Sequence, residues 1–425
     1  MKKRKRNIFK YKAYSHFDSK KPVSNWIKYI QNPQEIKKHG FYPFVHFVLK
    51  QTKYDNCQKK EKVKIRDINY ASHIDRYIYE YYNELLNKEY NEYAKKYGIN
   101  RCVVAYRNNL NQNNIHIARS VFNFIKQGTE YYILIADFSK YFDKINHKYL
   151  KYKLCEVLKC ERLPDDWYKV FRSVTKYSSI DLDKIVEYKA MKIKEVRKLD
   201  RLTNTSELHD LKKHLQVNIN DFGIPQGSSI SSTLANVNLI DYDIKINNFV
   251  TTRKGTYRRY CDDSIIVIPT IYKSDFLRLY NELNNSTPGL EVNSEKMQEF
   301  SFKNNMIYDE NNNRSKIKYL GFEFDGKTCK IREHTITCYF LKAYRSIKFV
   351  NYISRKYNRN AYREQFFLSF THLGRKKSKI NKGNFLTYVD RCAQIMDEKE
   401  INKQTSRHWV KFSRRIVKIK PLIDI

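Results

Sequence analysis

Apolar and polar side chains repeat with a helical period in the first part of the chain. A helix is predicted to begin after Asn32, a helix-capping residue followed by proline, and to end at Gly40. A second helix is predicted over residues 71–86, where apolar side chains recur every three to four positions. Ser72 and Asp75 resemble a capping box at its start. The N-terminal part is therefore predicted to be helical.

The period changes after a third predicted helix. That helix covers residues 115–128, with an apolar face and Gly128 as its stop signal. A short, continuous apolar run follows at residues 133–136, which is typical of a buried strand. The strand is predicted to end at Asp137.

The remainder alternates between charged helical segments and short strands. Residues 151–220 are charged and mostly helical in pattern, and a Gly-Pro loop then leads into a helix whose apolar positions share one face. These positions are Ile230, Leu234, Val237 and Ile244. A strand–turn–strand is predicted at "RRYCDDSIIVIP" (258–269) and a short hairpin at "KYLGFEFDGK" (318–327). Three helices are predicted in the tail.

Charge indicates a polyanionic partner. The 425 residues include 82 lysines and arginines against 45 acidic residues, a formal net charge of +37. Residues 331–425 alone carry 22 basic and seven acidic residues. A basic chain with 35 tyrosines and 24 phenylalanines is suited to nucleic acid, because phosphates attract the cations and bases stack on the rings. A solvated, lysine-rich surface is the alternative interpretation.

Cysteine usage and hydropathy indicate an intracellular protein. The eight cysteines form no C-x-x-C pair, which favours free thiols in a reducing compartment, and we expect the cytoplasm. The basic start is followed by no apolar signal region, and no apolar run approaches the roughly 20 residues that span a bilayer. We therefore predict no membrane association.

Two adjacent aspartates, Asp262 and Asp263, lie at the tip of the predicted hairpin. Taken alone they favour a simple turn, because aspartate forms local hydrogen bonds there. Together with Asp137 they suggest a different chemistry. Three clustered carboxylates repel one another unless a cation neutralises them, and two Mg²⁺ ions would clamp a phosphoryl transfer.

Five ordered stretches resemble the palm motifs of reverse transcriptases. They are "ADFSKYFDKINH", "GIPQGSSISSTLANVNL", "YCDDS", "GLEVNSEKMQ" and "KYLGFEF", and they cover residues 136–324. Upstream, "KIRDINYASHIDRYI" and "VVAYRNN" resemble fingers motifs. The stretch "SHFDSKKPVSNWIKYIQNPQEIKKHGFYPF" resembles bacterial antiphage-defence reverse transcriptases, most nearly the type 2 group.

The resemblance implies an α+β right-hand polymerase. Its expected parts are an N-terminal helical extension (1–60), fingers (61–130), a palm with an antiparallel sheet and a helical insertion near 151–220 (131–330), and a basic helical thumb (331–425). It also implies RNA-directed DNA synthesis from deoxynucleoside triphosphates, with a structured non-coding RNA as template and DNA as product. No protein partner is predicted.

The resemblance assigns the metal site. Asp137 and Asp262 would bridge two Mg²⁺ ions, for which Mn²⁺ can substitute, and Asp263 would support one of them. Phe138 is placed with them as a metal and substrate residue. Lys296 matches a lysine that protonates pyrophosphate, although a solvated lysine is the alternative.

The resemblance also assigns residues around the incoming nucleotide. Phe142 matches the aromatic gate against a ribose 2′-hydroxyl, with packing beside Tyr141 as the alternative. Gln226 and Gly227 would line the incoming nucleotide, and Arg66 would grip its triphosphate unless it is only a surface arginine.

Two segments are predicted to contact nucleic acid. The primer grip would include Tyr319, Leu320 and Gly321. In the thumb, the densest basic cluster would contact the RNA backbone, or else form a solvated loop. It comprises Arg375, Lys376, Lys377, Lys379 and Lys382.

The chain also departs from relatives. Ser229 stands where many have proline, and the N-A-x-x-H and V-T-G motifs of retron enzymes are not found. After Phe324 we expect a thumb and neither an RNase H domain nor an intron endonuclease. The alternatives are a template-independent or protein-primed DNA polymerase, an RNA polymerase, which Phe142 argues against, and a non-catalytic RNA-binding scaffold.

Overall fold

A computed structural model describes Phe9 and residues 11–55, 60–107, 109–375 and 383–417. The N-terminal part contains α1 (Ile27–Ile30), α2 (Pro33–Lys38), β1 (Phe44–Asp55), β2 (Lys60–Tyr70), α3 (His73–Lys96) and α4 (Asn114–Lys126). The predicted caps form, because the side chains of Asn32 and Ser72 accept hydrogen bonds from the backbone N–H groups of Gln34 and Asp75. Helix α3 is longer than predicted.

The helical expectation for residues 1–60 needs correction. Strands β1 and β2 form a long antiparallel hairpin, from Val45 opposite Tyr70 to Asp55 opposite Lys60. The predicted boundary at residue 60 therefore falls inside one hairpin. Strand β1 also pairs in parallel with β4 (Ser178–Asp181), and β4 pairs with β5 (Gln216–Val217). This second sheet connects the hairpin to the segment predicted as an insertion.

The central part is built around a five-stranded antiparallel sheet in the order β6-β7-β3-β8-β9. Its strands are β3 (Glu130–Ala136), β6 (Thr256–Tyr260), β7 (Asp263–Pro269), β8 (Gln298–Lys303) and β9 (Met306–Asp309). Ile133 and Leu134 of β3 are fully buried. The predicted strand and its antiparallel sheet are thus confirmed, and the fold class is α+β.

Helices cover this sheet and fill the segment between β3 and β6. They are α5 (Tyr141–Lys144), α6 (His147–Leu158), α7 (Asp165–Thr175), α8 (Leu182–Lys189), α9 (Ile193–Val196), α10 (Thr205–Asp210), α11 (Ser231–Asn238) and α12 (Ile240–Thr252), with α13 (Lys273–Ser286) after β7. The single helix predicted over residues 230–244 is divided at Leu239 into α11, which packs against α3 and α6, and α12, which packs against β6 and α13.

A small third sheet and a helical C-terminal part complete the chain. The sheet contains β10 (Ile317–Tyr319), β11 (Phe322–Phe324) and β12 (Cys329–Ile331). The helices are α14 (Glu333–Lys356), α15 (Arg363–Phe370), α16 (Phe385–Met396), α17 (Lys399–Lys403) and α18 (His408–Ser413). Among the described residues, no helix has the length and apolar character that a bilayer crossing requires.

A buried ion pair fixes the β6–β7 hairpin to the helices beneath it. Arg259 and Asp243 are both fully buried, with Nη2 2.5 Å from Oδ2 and Nε donating to Oδ1 at 2.8 Å. Arg259 also donates to the Asn236 side chain and to the backbone carbonyl of Cys261. The Tyr257 hydroxyl donates to Asp243 at 2.7 Å. The pair therefore has the hydrogen-bond partners that compensate for its desolvation.

Removing one partner should destabilise the fold strongly. Asp243→Ala leaves the Arg259 charge buried without its carboxylate, and we expect the free energy of unfolding to fall by about 3–5 kcal/mol. Denaturant unfolding measures this loss. The control is Glu187→Ala, which breaks an exposed pair with Lys184 and should leave the free energy of unfolding nearly unchanged. Equal effects of the two substitutions would show that the buried pair adds nothing.

Candidate active site

Strand pairing brings the three predicted carboxylates together. Strands β3 and β7 are antiparallel, with Ala136 opposite Ser264, so that Asp137 leaves β3 where Asp263 enters β7. Asp262 occupies the turn between β6 and β7, after Cys261 in a left-handed conformation at φ 60°. Asp137 and Asp262 are separated by 125 positions in the sequence, and the register of the sheet brings them together.

The carboxylates repel one another. Burial, followed by the neighbouring charge of Asp137, raises the pKa of Asp262. Burial, Asp262 and Asp137 raise the pKa of Asp263 to about 6, against weaker opposing effects of Arg332 and Lys296. A site that disfavours its own negative charges is one in which a cation would be stabilised.

A loop from the neighbouring strand places Lys296 against this cluster. The Ser139 N–H donates to the Glu291 carbonyl at 2.7 Å, and the Asn293 N–H donates to the Asp137 carbonyl at 2.9 Å. The loop is thereby fixed along the end of β3. The Lys296 ammonium forms an ion pair with the Asp137 carboxylate. The structure therefore brings Lys296 to the predicted site.

The residues fit hard divalent cations by their chemistry. Carboxylate oxygens are the ligands that Mg²⁺ prefers, and burial, followed by mutual repulsion, raises the pKa values of Asp262 and Asp263. Within the described ranges, no group of three or more His, Cys, Asp or Glu side chains is already arranged around a common centre. The Lys296 ammonium pairs with one of the three carboxylates, that of Asp137.

Strand β2 is in contact with the segment that contains Gln226 and Gly227. The Asn69 N–H donates to the Gln226 carbonyl at 2.8 Å. Gly227 has φ +122°, and a Cβ atom there would lie 2.4 Å from the Asn69 carbonyl oxygen. Glycine is needed because the two backbones are in contact. Gln226 and Gly227 thus lie beside β2, the strand that carries Arg66.

The family comparison agrees with this geometry. The model of the family "Reverse transcriptase (RNA-dependent DNA polymerase)" matches residues 58–324, well over half of the chain. The chain belongs to the reverse transcriptase family. Members of this family use divalent metal ions. In a search by sequence, no curated protein matches this reverse transcriptase.

Solved telomerase structures are similar to it. Apo telomerase from Candida tropicalis, truncated from its C-terminal domain, has 14% identity over 73% of this chain and 58% of that chain, with a TM-score of 0.47. Apo telomerase from Candida tropicalis has 16% identity over 93% and 64%, with a TM-score of 0.43. Telomerase from Candida albicans with a TWJ fragment of telomeric RNA has 12% identity over 90% and 64%, with a TM-score of 0.43. The reverse transcriptase spans less than two thirds of each.

The two predicted phenylalanines occupy different environments. The Phe138 ring is buried, 5.7 Å from the rings of Tyr141 and Tyr242, so that only its backbone is available to a metal or substrate. The Phe142 ring is half-buried and lies 6.0 Å from Tyr141. Packing beside Tyr141 is therefore observed, and the gate role of Phe142 stays a prediction.

The predicted primer grip is a tight hairpin. Leu320 and Gly321 have φ 45° and 94°, as a two-residue type I′ turn requires. The Asn114 side chain donates to the Leu320 carbonyl at 3.1 Å, and the Arg332 N–H donates to the Gly321 carbonyl at 3.0 Å. The Tyr319 ring is buried, so only the turn residues Leu320 and Gly321 are available for the predicted contact with nucleic acid.

The predicted basic cluster lies largely outside the described residues. Lys376, Lys377, Lys379 and Lys382 fall there. Arg375 is described, and its Nε lies 3.1 Å from the Asp390 carboxylate. Its role in RNA binding stays a prediction.

Sequence reasoning missed two residues beside the site. Lys64 on β2 has a pKa lowered by burial and by the charges of Arg66 and Lys296, while Asp137 and Asp262 oppose the shift. It is therefore within electrostatic reach of the catalytic cluster. Tyr106 has φ 59°, and its side chain hydrogen bonds with Cys261. The only signal in the sequence for either residue was the position of Lys64, two residues before Arg66.

The contact at Gly227 gives a prediction. Gly227→Ala should push β2 away from the Gln226–Gly227 backbone, which is predicted to line the incoming nucleotide. A misplacement of about 1 Å in an active site can lower the reaction rate about 100-fold. The measurement is deoxynucleotide incorporation per active molecule. Gly98→Ala is the matched control, because Gly98 also has positive φ (+74°) but nothing within 4 Å of an added Cβ. Equal activities of the two variants would contradict the contact argument.

Proposed function

We propose that the chain is an RNA-directed DNA polymerase that uses two divalent metal ions. The observation that carries this proposal is the pairing of β3 with β7, which places Asp137 beside Asp262 and Asp263 in a member of the reverse transcriptase family. When bound, two Mg²⁺ ions would activate the primer hydroxyl and neutralise the leaving pyrophosphate. Asp137 and Asp262 would hold both ions, and Asp263 would hold one.

The chain's own side chains would position the triphosphate and supply a proton. Lys64 and Arg66 are cations on one face of β2, on the side of the incoming nucleotide. The backbone at Gly227 would line the sugar and base of the incoming nucleotide. Lys296 stands beside Asp137, where its ammonium would donate a proton to the departing pyrophosphate once it leaves the carboxylate.

The direct test removes the carboxylates. The double variant Asp262→Ala, Asp263→Ala should lower deoxynucleotide incorporation on an RNA template by at least about 100-fold, because positioning and charge supply nearly all of the catalysis. RNA affinity should stay close to that of the unchanged protein. Asp200→Ala, an exposed carboxylate outside the site, is the control. Incorporation within about tenfold of wild type would contradict the two-metal proposal.

Sugar choice tests Phe142. The variant Phe142→Ala should incorporate ribonucleotides, because a ring that meets the 2′-hydroxyl would be removed. The measurement is the ratio of deoxynucleotide to ribonucleotide incorporation, with Tyr141→Phe as a neighbouring control. Tyr141 donates to the Ala235 carbonyl from a buried ring, so that change should alter stability and leave the ratio unchanged. An unchanged ratio in Phe142→Ala would mean that Phe142 only packs.

We propose further that the template is a structured non-coding RNA and that the activity serves antiphage defence in the bacterial cytoplasm. The support is the resemblance of residues 15–44 to type 2 defence enzymes, the charge of +37 and the free cysteines of the described residues. Sequencing the nucleic acids that copurify with the protein tests it. RNA should accompany both wild type and the double aspartate variant, and DNA complementary to that RNA only the wild type.

The same experiment separates the alternatives. DNA without a complement in the bound RNA would favour a template-independent polymerase, and DNA linked to a tyrosine would favour protein priming. RNA without any DNA would favour a binding scaffold. Phage plating on cells that carry wild type or the aspartate variant then tests defence, since protection by both would contradict a catalytic role.

A further inference from the structure

A cavity of about 590 Å³ lies beside the fingers hairpin, the pair β1–β2. Three separate parts of the chain form its walls. From the hairpin they are Phe47, Leu49, Ile68 and Tyr70; from the insertion, Leu182, Arg197 and Leu202; and from the N-terminal part, Lys12, Tyr14 and Ser15. None of these residues belongs to the site described above.

The walls are joined by hydrogen bonds. The Ser15 hydroxyl donates to the Arg197 carbonyl at 3.0 Å, and the Leu202 N–H donates to the His16 carbonyl at 2.7 Å. The Tyr14 hydroxyl donates to the Ala71 carbonyl at 2.8 Å. The N-terminal segment is thus tied both to the insertion and to the end of β2. The cavity is therefore held open by the fold itself.

The lining combines aromatic faces with cations. The Tyr14 and Phe47 rings lie 5.1 and 6.0 Å from the Tyr70 ring. Lys12 and Arg197 are exposed at the edge. Rings that stack on a base, next to cations that bind phosphate, are the means by which proteins hold unpaired nucleotides. An apolar peptide would use the rings but would have no need of two cations.

The cavity lies on the same face of β2 as the residues near the carboxylates. Alternate residues of a strand share a face, so Lys64 and Arg66 are followed on that face by Ile68 and Tyr70. Lys64 interacts electrostatically with Asp137 and Asp262. From Arg66 to Tyr70 the strand advances about 13 Å. A single strand that passes from the site along this face reaches the cavity.

We propose that this cavity holds one unpaired base of the RNA strand that has not yet been copied. Lys12 and Arg197 would contact the phosphates on either side of that base, and Tyr70 would stack against it. The inference rests on the proposed template-directed synthesis. It adds a site for the incoming template, built from the N-terminal segment and the insertion as well as from the fingers.

The test uses the full chain and a primer annealed to an RNA template with a short single-stranded overhang. An abasic nucleotide is placed at each overhang position in turn, and the dissociation constant is measured. Leu49→Trp fills the cavity from its mouth, because Leu49 is 37% exposed and its replacement leaves the buried core intact. Arg197→Gln removes an edge cation, and Lys194→Gln, exposed on α9 outside the cavity, is its matched control.

In the wild type, an abasic nucleotide at one overhang position should weaken binding about 5- to 150-fold, the range expected for one stacked base. That penalty should vanish in Leu49→Trp. Arg197→Gln should weaken binding and reduce its salt dependence, and Lys194→Gln should do neither. The proposal is overturned if no overhang position matters or if the penalty is unchanged in Leu49→Trp.

Extension of a primer by one nucleotide, on an RNA template whose overhang is only the nucleotide to be copied, separates this proposal from the proposed function. Wild type and the cavity variants should extend it equally, because the cavity is then unused. Extension without any overhang penalty would overturn the cavity proposal and leave the polymerase standing. No extension by any of the proteins would overturn both.

Discussion

The turn that carries Asp262 is held in place by the buried Arg259–Asp243 pair. Arg259 supports the Cys261 carbonyl immediately before Asp262, and its own backbone N–H and carbonyl bond to Cys102 and Val104. Through its guanidinium and its backbone, Arg259 thus connects the β6–β7 hairpin, helix α12 and the segment that contains Cys102 and Val104. An arginine can do this because its fork has five donors in fixed directions. The geometry of the three carboxylates depends on this constraint, since Asp262 and Asp263 lie on the hairpin that Arg259 anchors and Asp137 follows the strand paired with that hairpin.

The local elements could be predicted because their signals are local. The Asn32 and Ser72 caps, the apolar run before Asp137 and the turn at Asp262 all formed as expected. The fold class and the family followed from the order of five motifs, and the convergence of Asp137 with Asp262 and Asp263 followed from it too. A short motif alone would have left the two aspartates as a turn.

The remaining features depend on contacts that are distant in sequence. Strand β1 was missed because its sequence is apolar at one end and charged at the tip, and this mixture has no clear period. Its conformation is decided by pairing with β2 and β4, which are distant in sequence or unrecognised as strands. The break at Leu239 separates α11, which packs against α3 and α6, from α12, which packs against β6 and α13. Lys64 and Tyr106 reach the site only through the folding of the hairpin and of the chain around Tyr106.

The predicted thumb is joined to the predicted palm through two helices at once. Helix α14 begins in the palm core with Ile336 and continues in the thumb core with Ala343, while α16 passes the other way, from Leu386 to Val389. Bending at this junction would have to distort both helices. We therefore expect the predicted thumb to be rigid, so that any duplex it encloses must fit a gap of fixed width. Discrimination between duplexes would then come from their diameter rather than from closure of a flexible clamp.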